Sequence, residues 1–369
     1  MPADLHRTAV VADTHNDLLC LVVKRPPTQW ASYFREHWLP QLRAGGVDIQ
    51  VLPVYIDDAF RPELALRETL RMIEAAHRLA EGNPDAVALC ATGEEVRRTL
   101  DSGRIALVLA LEGCPQIDTD VELLQTVFRL GVRIASFTHF GRSALADGSG
   151  EDAAESRLTG AGTAALDLMQ DLGMILDVSH LGRRGVDHVL ELTRRPLIAT
   201  HSSARALREH HRNLSDDHLR GIAATGGVVC VNFCAGFLDE HDHSLERLVD
   251  HVVHVAEVAG IEHVGLGPDF VDEVLRELFP GQDTLRMGGI DALACVPGLQ
   301  GPTGLPLLTA ALLQRGMSAD DVTRVLGGNI ARLFDAELGV AREVGVAREV
   351  GRGLGELPDY GPATGRAAQ

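Results

Sequence analysis

Lysine is all but missing from this sequence: Lys24 is the single one among 369 residues, and arginine carries the rest of the basic charge. Basic charge is also short overall, with 34 Lys plus Arg against 52 Asp plus Glu and a formal net charge of −18. So acidic a chain excludes nucleic acid and an anionic membrane as expected partners. No run is long enough to span a bilayer, and residues 1–8 carry no apolar stretch of the kind a secretion signal needs. The expected location is therefore the cytoplasm. There is no CxxC spacing; the six cysteines sit mostly in apolar strings, so buried free thiols are expected rather than a disulfide framework. No GxGxxG follows the first apolar run, which counts against a dinucleotide-binding sheet.

What is present is apolar and periodic. Hydrophobic residues make up 45% of the chain, enough for a sizeable core. Short β-branched runs predict strands at Ala9–Ala12, Val47–Tyr55, Ile105–Leu111, Val132–Phe137, Met174–Val178, Pro196–Ala199, Gly227–Asn232 and His263–Leu266. Helical spacing predicts helices over Pro62–Ala80, Val121–Leu130, Gly162–Leu172 (closed by Gly173) and Ser244–Ala259. Ser318 reads as a helix N-cap. Eight near-continuous apolar strands separated by helices argue for a (β/α)8 TIM barrel, covered on its outer face. The excess over about 250 residues, typical of that fold, is assigned to long loops at the carboxyl face: Leu19–Pro40, Gly141–Leu158 (a polar surface loop or lid) and Val271–Gly304. The barrel is expected over 1–335. A tail over 336–369 is expected to be mobile and free of chemistry; it carries Gly-Val-Ala-Arg-Glu-Val twice in tandem from Gly339.

Six of the eight predicted strands end in a His, Asp or Glu. The first runs into His15-Asn16-Asp17, where side chains two apart on a strand point the same way. Others end at Glu112, His139, Asp177 to His180, His201 and Asp269. Singly, each is better explained as a hydrogen-bonded core residue or a cap. Jointly, at the carboxyl edge where barrels place their chemistry, a ring of histidines and carboxylates with no matching Lys or Arg is most simply satisfied by divalent cations of the zinc class. Two ions sharing one carboxylate would use five ligands and leave room for water. His210, His211, His218, His241, His243, His251 and His254 fall on predicted helices or polar loops and are expected to be solvated. A carboxylated lysine, a frequent bridge in two-metal barrels, is excluded because Lys24 lies in a loop; Glu112 is the candidate bridge.

The set Asp13-Thr14-His15-Asn16-Asp17, Leu111-Glu112-Gly113, Leu176-Asp177-Val178-Ser179-His180, Thr200-His201-Ser202-Ser203, Arg212-Asn213 and Gly265-Leu266-Gly267-Pro268-Asp269 resembles the membrane (renal) dipeptidase family, within the amidohydrolase-type metal barrels. Pro40 to Gly46 and Leu326 to Asn329 match family strings too, so the resemblance runs in order from about Val10 to Phe334. It implies hydrolysis of dipeptides, some with a D-residue at the carboxyl side, and β-lactam opening in some members. It implies two Zn2+ per subunit, bridged by Glu112 and a hydroxide: His15, Asp17 and Glu112 on one ion, Glu112, His180 and His201 on the other. His139 would contact the substrate near the scissile carbonyl, Arg212 would bind the terminal carboxylate, and Asp269 would move the proton. A homodimer is implied as well. On the residues alone, Arg212 could equally be a surface ion pair.

Three departures stand out. Family members commonly continue Asp-Phe-Asp-Gly or Asp-Tyr-Asp-Gly at the last strand, whereas Asp269-Phe270 is followed here by Val271-Asp272. A tyrosine common after the seventh strand is replaced by Cys234. The secretion signal and lipid anchor of animal members are not seen, which fits an intracellular bacterial-type enzyme. The remaining alternatives are another amidohydrolase-type enzyme (a lactonase, deaminase, β-lactam or N-acyl amino acid hydrolase) and a metal-loaded barrel that binds without turnover.

Overall fold

In the computed structural model, which describes residues 2–340, a ring of parallel strands surrounds an apolar axis. The strands are β1 (Ala12–Asp13), β2 (Ile49–Tyr55), β3 (Val87–Leu89), β4 (Ile105–Glu112), β5 (Val132–Ser136), β6 (Ile175–Asp177), β7 (Ile198–Ala199), β8 (Val228–Asn232) and β9 (Val264–Gly267). They pair in the order β1-β2-β4-β5-β6-β7-β8-β9, with β3 attached to β4 outside this path. The ring is drawn together where Thr14 N–H donates to Leu266 O (3.2 Å) and Asp269 N–H to His15 O (3.0 Å). This is the (β/α)8 TIM barrel expected from the alternation of apolar and amphipathic segments.

Side-chain parity explains what fills it. Along β4, Ala106, Val108 and Ala110 belong to a cluster with Ile49, Val51, Ile134, Ile175, Ile198, Val228 and Cys230, one inward residue set from successive strands. Leu107, Leu109 and Leu111, of the opposite parity, pack outward with the helices. Inward parity continued to the carboxyl rim reaches Glu112, Asp177, Thr200 and Asn232. The barrel is thus apolar through its middle and polar only at its upper layer.

Several expected boundaries shift. The first strand is Ala12–Asp13 rather than Ala9–Ala12, preceded by a helix over Pro2–Thr8. Val87–Leu89 is a strand that was not expected; it lies at the edge, where pairing with Ile105–Leu107 decides its state. The stretch Leu19–Pro40 is largely helical, not a loop: Leu18–Val22, Trp30–Tyr33, Phe34–Trp38 and Leu39–Ala44 bury Leu19, Trp30, Phe34 and Trp38 in the outer core. Val271–Gly304 contains a helix (Asp272–Leu278) and a hairpin (Arg286–Met287 with Ile290–Asp291). The helices at Ala65–Glu81, Gly160–Leu172 and Leu245–Ala259 form as expected; Gly173 ends the second at φ +81°, a conformation costly for any residue with a Cβ. The Ser318 hydroxyl accepts from Asp321 N–H as an N-cap.

Residue 335, where the barrel is expected to end, lies in the last helix among the described residues, Asn329–Glu337. Glu337 forms a buried ion pair with Arg195 (2.7 Å), and Arg195 also donates to Val340 O (2.8 Å). The tandem repeat beyond Val340 and the tail lie outside the described residues.

Candidate active site

Glu112 stands at the centre of the rim. Gly113 follows it at φ +76°, which lets the chain leave β4 sharply. Its Oε2 is 3.4 Å from His15 Nε2; its Oε1 is 3.0 Å from His180 Nε2, 3.5 Å from His201 Nε2 and 3.9 Å from His139 Nε2. Asp17 Oδ2 lies 3.9 Å from His15 Nε2. Donor atoms converge within 4.8 Å of one another in three sets: His15, Glu112 and His201; Glu112, His139 and His180; His15, Asp17 and Asp269. All five expected metal ligands, together with His139 and Asp269, are therefore neighbours in space, although about 250 positions separate the first from the last.

The hydrogen-bond pattern behind the ring argues that a cation belongs in front of it. Asp177 accepts from Ser179 N–H (2.8 Å), Thr200 N–H (3.0 Å) and the Thr200 hydroxyl (2.5 Å). With its proton committed to Asp177, the Thr200 oxygen accepts from His201 Nδ1 (2.8 Å). That fixes the His201 tautomer and turns the bare lone pair of Nε2 toward Glu112 and toward His180 Nε2, 2.9 Å away. His15 Nε2 is buried with no hydrogen-bond partner. Acceptors aimed at acceptors in a buried site are costly, and a divalent ion with nitrogen and oxygen ligands removes the conflict.

Electrostatics agree. Burial opposes ionised Glu112, but the charge of His15 beside it holds its carboxyl well below the usual range. Burial likewise opposes a charged His15, yet Glu112 beside it overrides this and pushes the ring up to about 10: the cluster's negative charge demands a positive partner. Burial raises the Asp17 carboxyl well above its ordinary value, and Glu112 adds to the rise. Burial also lifts Asp13 to about 7; its carboxylate orients the ring's neighbours, accepting from His15 N–H (3.0 Å) and the Asn16 amide (3.3 Å).

Two rim residues other than glycine, His180 (φ +66°) and Asp269 (φ +58°), adopt the left-handed conformation that β-carbons disfavour. Both sit in the donor cluster. Asp269 Oδ2 accepts from the Asn232 amide (2.8 Å), and burial raises its carboxyl. Burial lowers His139 to about 4, so its imidazole is neutral near pH 7; the ring lies against Tyr55 (centroids 4.9 Å apart) and Phe140 (4.4 Å). Arg212 is 3% exposed, which excludes a surface ion pair. Its Nη1 donates to the Ser202 hydroxyl (2.8 Å) and its Nη2 to His201 O (2.7 Å), while Nε has no partner.

Above the ring lies a cleft of about 150 Å³, with Asp17, Glu112, His139, His180 and Asp269 among its lining. The opposite wall comes from 271–292, and none of the lining residues belongs to Gly141–Leu158, the segment expected as a lid. That segment is instead tied down by Arg142, which grips Asp147 at 2.5 and 2.9 Å.

The histidines expected to be solvated divide. His251 is fully buried: its Nδ1 accepts from Ala204 N–H (3.1 Å) and its Nε2 donates to Leu238 O (2.9 Å). His218 is also buried, against Asp187. Both face inward from their helices and brace the fold. His210 and His211 border the roof hairpin, His211 lying 3.2 Å from Gly288 O. Asp177 and Thr200 stand among the expected strand ends without an assigned role, and Asn232 is outside the expected site; inward parity at the strand ends is the signal for all three.

A family model described as membrane dipeptidase (peptidase family M19) matches residues 2–344. The dipeptidase verJ of Clonostachys rogersoniana is 34% identical over 273 residues, covering 74% of this chain and 66% of that protein. The dipeptidase aclJ of Aspergillus oryzae is 32% identical over 318 residues, covering 83% and 71%. Among solved structures, dipeptidase AC, a metallopeptidase of family M19, superposes with a TM-score of 0.79 at 26% identity over 90% of this chain and all of its own. A metallopeptidase from Rhodobacter sphaeroides, solved with a phosphinate mimic of L-Ala-D-Ala, gives 0.76 at 25% identity over 89% of this chain and 99% of its own. A barrel whose rim gathers buried imidazoles around one shared carboxylate, matched along nearly its whole described length, belongs to the membrane dipeptidase family, peptidase family M19.

Proposed function

We propose that this protein is a binuclear zinc dipeptidase that hydrolyses the peptide bond of L-Xaa-L-Xaa and L-Xaa-D-Xaa dipeptides. The observation that carries the reading is the position of Glu112, whose Oε2 lies 3.4 Å from His15 Nε2 and whose Oε1 lies 3.0 and 3.5 Å from His180 and His201 Nε2. His15 and Asp17 would hold one ion, His180 and His201 the other, and Glu112 would contact both. When bound, the metals supply a hydroxide near neutral pH and a Lewis acid for the carbonyl.

This chain's own residues do the rest. Asp269, half-buried and held by Asn232, accepts the proton of the attacking water and delivers it to the leaving amine. His139, neutral at pH 7, donates a hydrogen bond to the oxygen on which negative charge develops. Arg212, braced from behind by Ser202 and His201 O, offers its free Nε edge to the terminal carboxylate, which limits the substrate to two residues. Support for the D-configured class comes from the Rhodobacter sphaeroides metallopeptidase, solved with a phosphinate mimic of the dipeptide L-Ala-D-Ala.

Hydrolysis of Ala-Ala and Ala-D-Ala, with two equivalents of zinc and after chelation, tests the reading. Turnover that vanishes with chelator and returns with zinc supports it. Lactone or N-acyl amino acid hydrolysis without dipeptide cleavage favours the other amidohydrolase chemistries, and tight binding without turnover favours a binding barrel. The homodimer and the cytoplasmic site remain part of the same proposal, tested by sizing chromatography and cell fractionation. Among the described residues no helix is long and apolar enough to cross a membrane.

A further inference from the structure

The cleft has two unlike walls. One is the charged rim. The other is the excursion that leaves β9 after Phe270, and the residues it presents are Val271, Val274, Leu275, Leu278, Phe279 and Met287. Among the described residues, the part of the cleft lining drawn from 271–292 holds no lysine or arginine; Arg212 stands behind the rim, on the other side. The carboxylates there are Asp17, Glu112 and Asp269 of the rim, and Asp57, one of whose oxygens already accepts from Ala59 N–H at 2.8 Å. The first residue past Phe270 that faces the cleft is Val271. The neighbouring Asp272 turns aside, taking Arg276 Nε at 2.8 Å and the Cys295 thiol at 3.5 Å.

This wall is held in place from outside. Arg25 pairs with Glu277 at 2.9 Å, and Glu273 is held by His37 and by the Gln41 amide (3.1 Å). Below, Leu275 packs with Ala292 and Leu293 in a small cluster that Val271, Leu285 and Met287 join. Leu278 and Phe279 remain 36% and 38% exposed, large apolar side chains without a full complement of protein around them.

We infer that this wall selects neutral dipeptides with a large apolar side chain, such as Leu or Phe, over small and charged ones. The inference rests on the dipeptidase reading and adds its substrate class. The physical reason is differential desolvation. An apolar side chain brought against Leu278 and Phe279 buries surface on both partners. A side-chain carboxylate there loses its water and finds no basic group on that wall; an ammonium loses its water without a free carboxylate on it. In a closed apolar pocket a single methylene changes kcat/KM by about 10- to 200-fold; a half-open wall of this kind falls toward the lower end.

The experiment is a matrix of kcat/KM values for the zinc-loaded full chain. The substrates are Ala-Ala, Leu-Ala, Phe-Ala, Glu-Ala and Lys-Ala, with the reversed set Ala-Leu, Ala-Phe, Ala-Glu and Ala-Lys. The expected result is a rise of about tenfold over Ala-Ala for Leu or Phe in at least one position, with Glu and Lys in that position below Ala-Ala. A flat profile, or a charged dipeptide as the best substrate, overturns the inference while leaving the dipeptidase reading intact. Failure to cleave any of the nine dipeptides under conditions of full metal loading overturns both. The double variant Leu278→Ser with Phe279→Ser changes partly exposed positions and tests the wall itself. Its ratio of kcat/KM for the preferred apolar dipeptide over Ala-Ala should fall at least fivefold; an unchanged ratio removes these residues from specificity.

Discussion

The floor and the roof of the cleft are built in opposite ways. The floor is the carboxyl rim of the barrel: each group extends from a strand or the residues just after it, most are buried, and some are braced by a second polar group, as Asp177 braces Thr200 and Thr200 braces His201. The roof is a single excursion after β9, apolar where it faces the cleft and pinned at its outer side by partly exposed ion pairs. Chemistry that needs fixed distances is put on the part of the fold that cannot move independently; selection among substrates is left to a segment whose residues can change without disturbing the strands.

If the contrast is right, the largest effects come from the centre of the floor. Glu112→Gln, or removal of metal by chelation, is expected to abolish dipeptide hydrolysis, and zinc should restore the chelated wild type but not the variant; metal content measured alongside activity checks this. Asp269→Asn should retain its metals and lose about 10²- to 10⁴-fold in kcat, the range of a general acid–base group. Wild-type turnover in that variant would take Asp269 out of the mechanism. Arg212→Met is expected to act on KM for dipeptides, by roughly 10- to 100-fold, since a charge-assisted hydrogen bond contributes about 1.5–3 kcal/mol; steady-state kinetics separate the two parameters.

One layer further back, Asp177→Asn should weaken zinc binding about 10- to 100-fold, because it loosens the tautomer of His201 rather than removing a ligand. Competition with a chromophoric chelator measures this directly, and unchanged affinity would mean that the Thr200 relay is dispensable. At the roof, Glu277→Gln breaks the pair with Arg25, whose side chains are about a third exposed. The expected change in unfolding free energy stays within about 0.5 kcal/mol by thermal or urea denaturation. A loss of several kcal/mol there would show that the roof is as firmly built as the floor.

The rim was legible because period and position both speak in one dimension. An apolar run that breaks into His-x-Asp or Glu-Gly marks a strand end, and a barrel brings all such ends to one edge whatever their separation along the chain. The roof was not legible. Asp272–Leu278 is a seven-residue helix, too short for its period to stand out, and its apolar residues meet the cleft only because Arg25, His37 and Gln41 hold it there. Leu19–Pro40 reads as a loop because Pro26, Pro27 and a string of short helical turns blur the repeat that Trp30, Phe34 and Trp38 nonetheless carry. His251 was expected in water because a histidine on a helix says nothing of which face is covered; the barrel wall and Leu238 O decide that.

By itself the sequence determined the ring: parallel apolar strands, and imidazoles and carboxylates at their carboxyl ends, because side-chain alternation along a strand is fixed by backbone geometry. Tertiary structure alone decided which nitrogen of His201 is free, where the bend at Asp269 aims its carboxylate, and that an apolar wall closes over the rim. Those depend on contacts between residues far apart in the chain, which no local pattern of residues encodes.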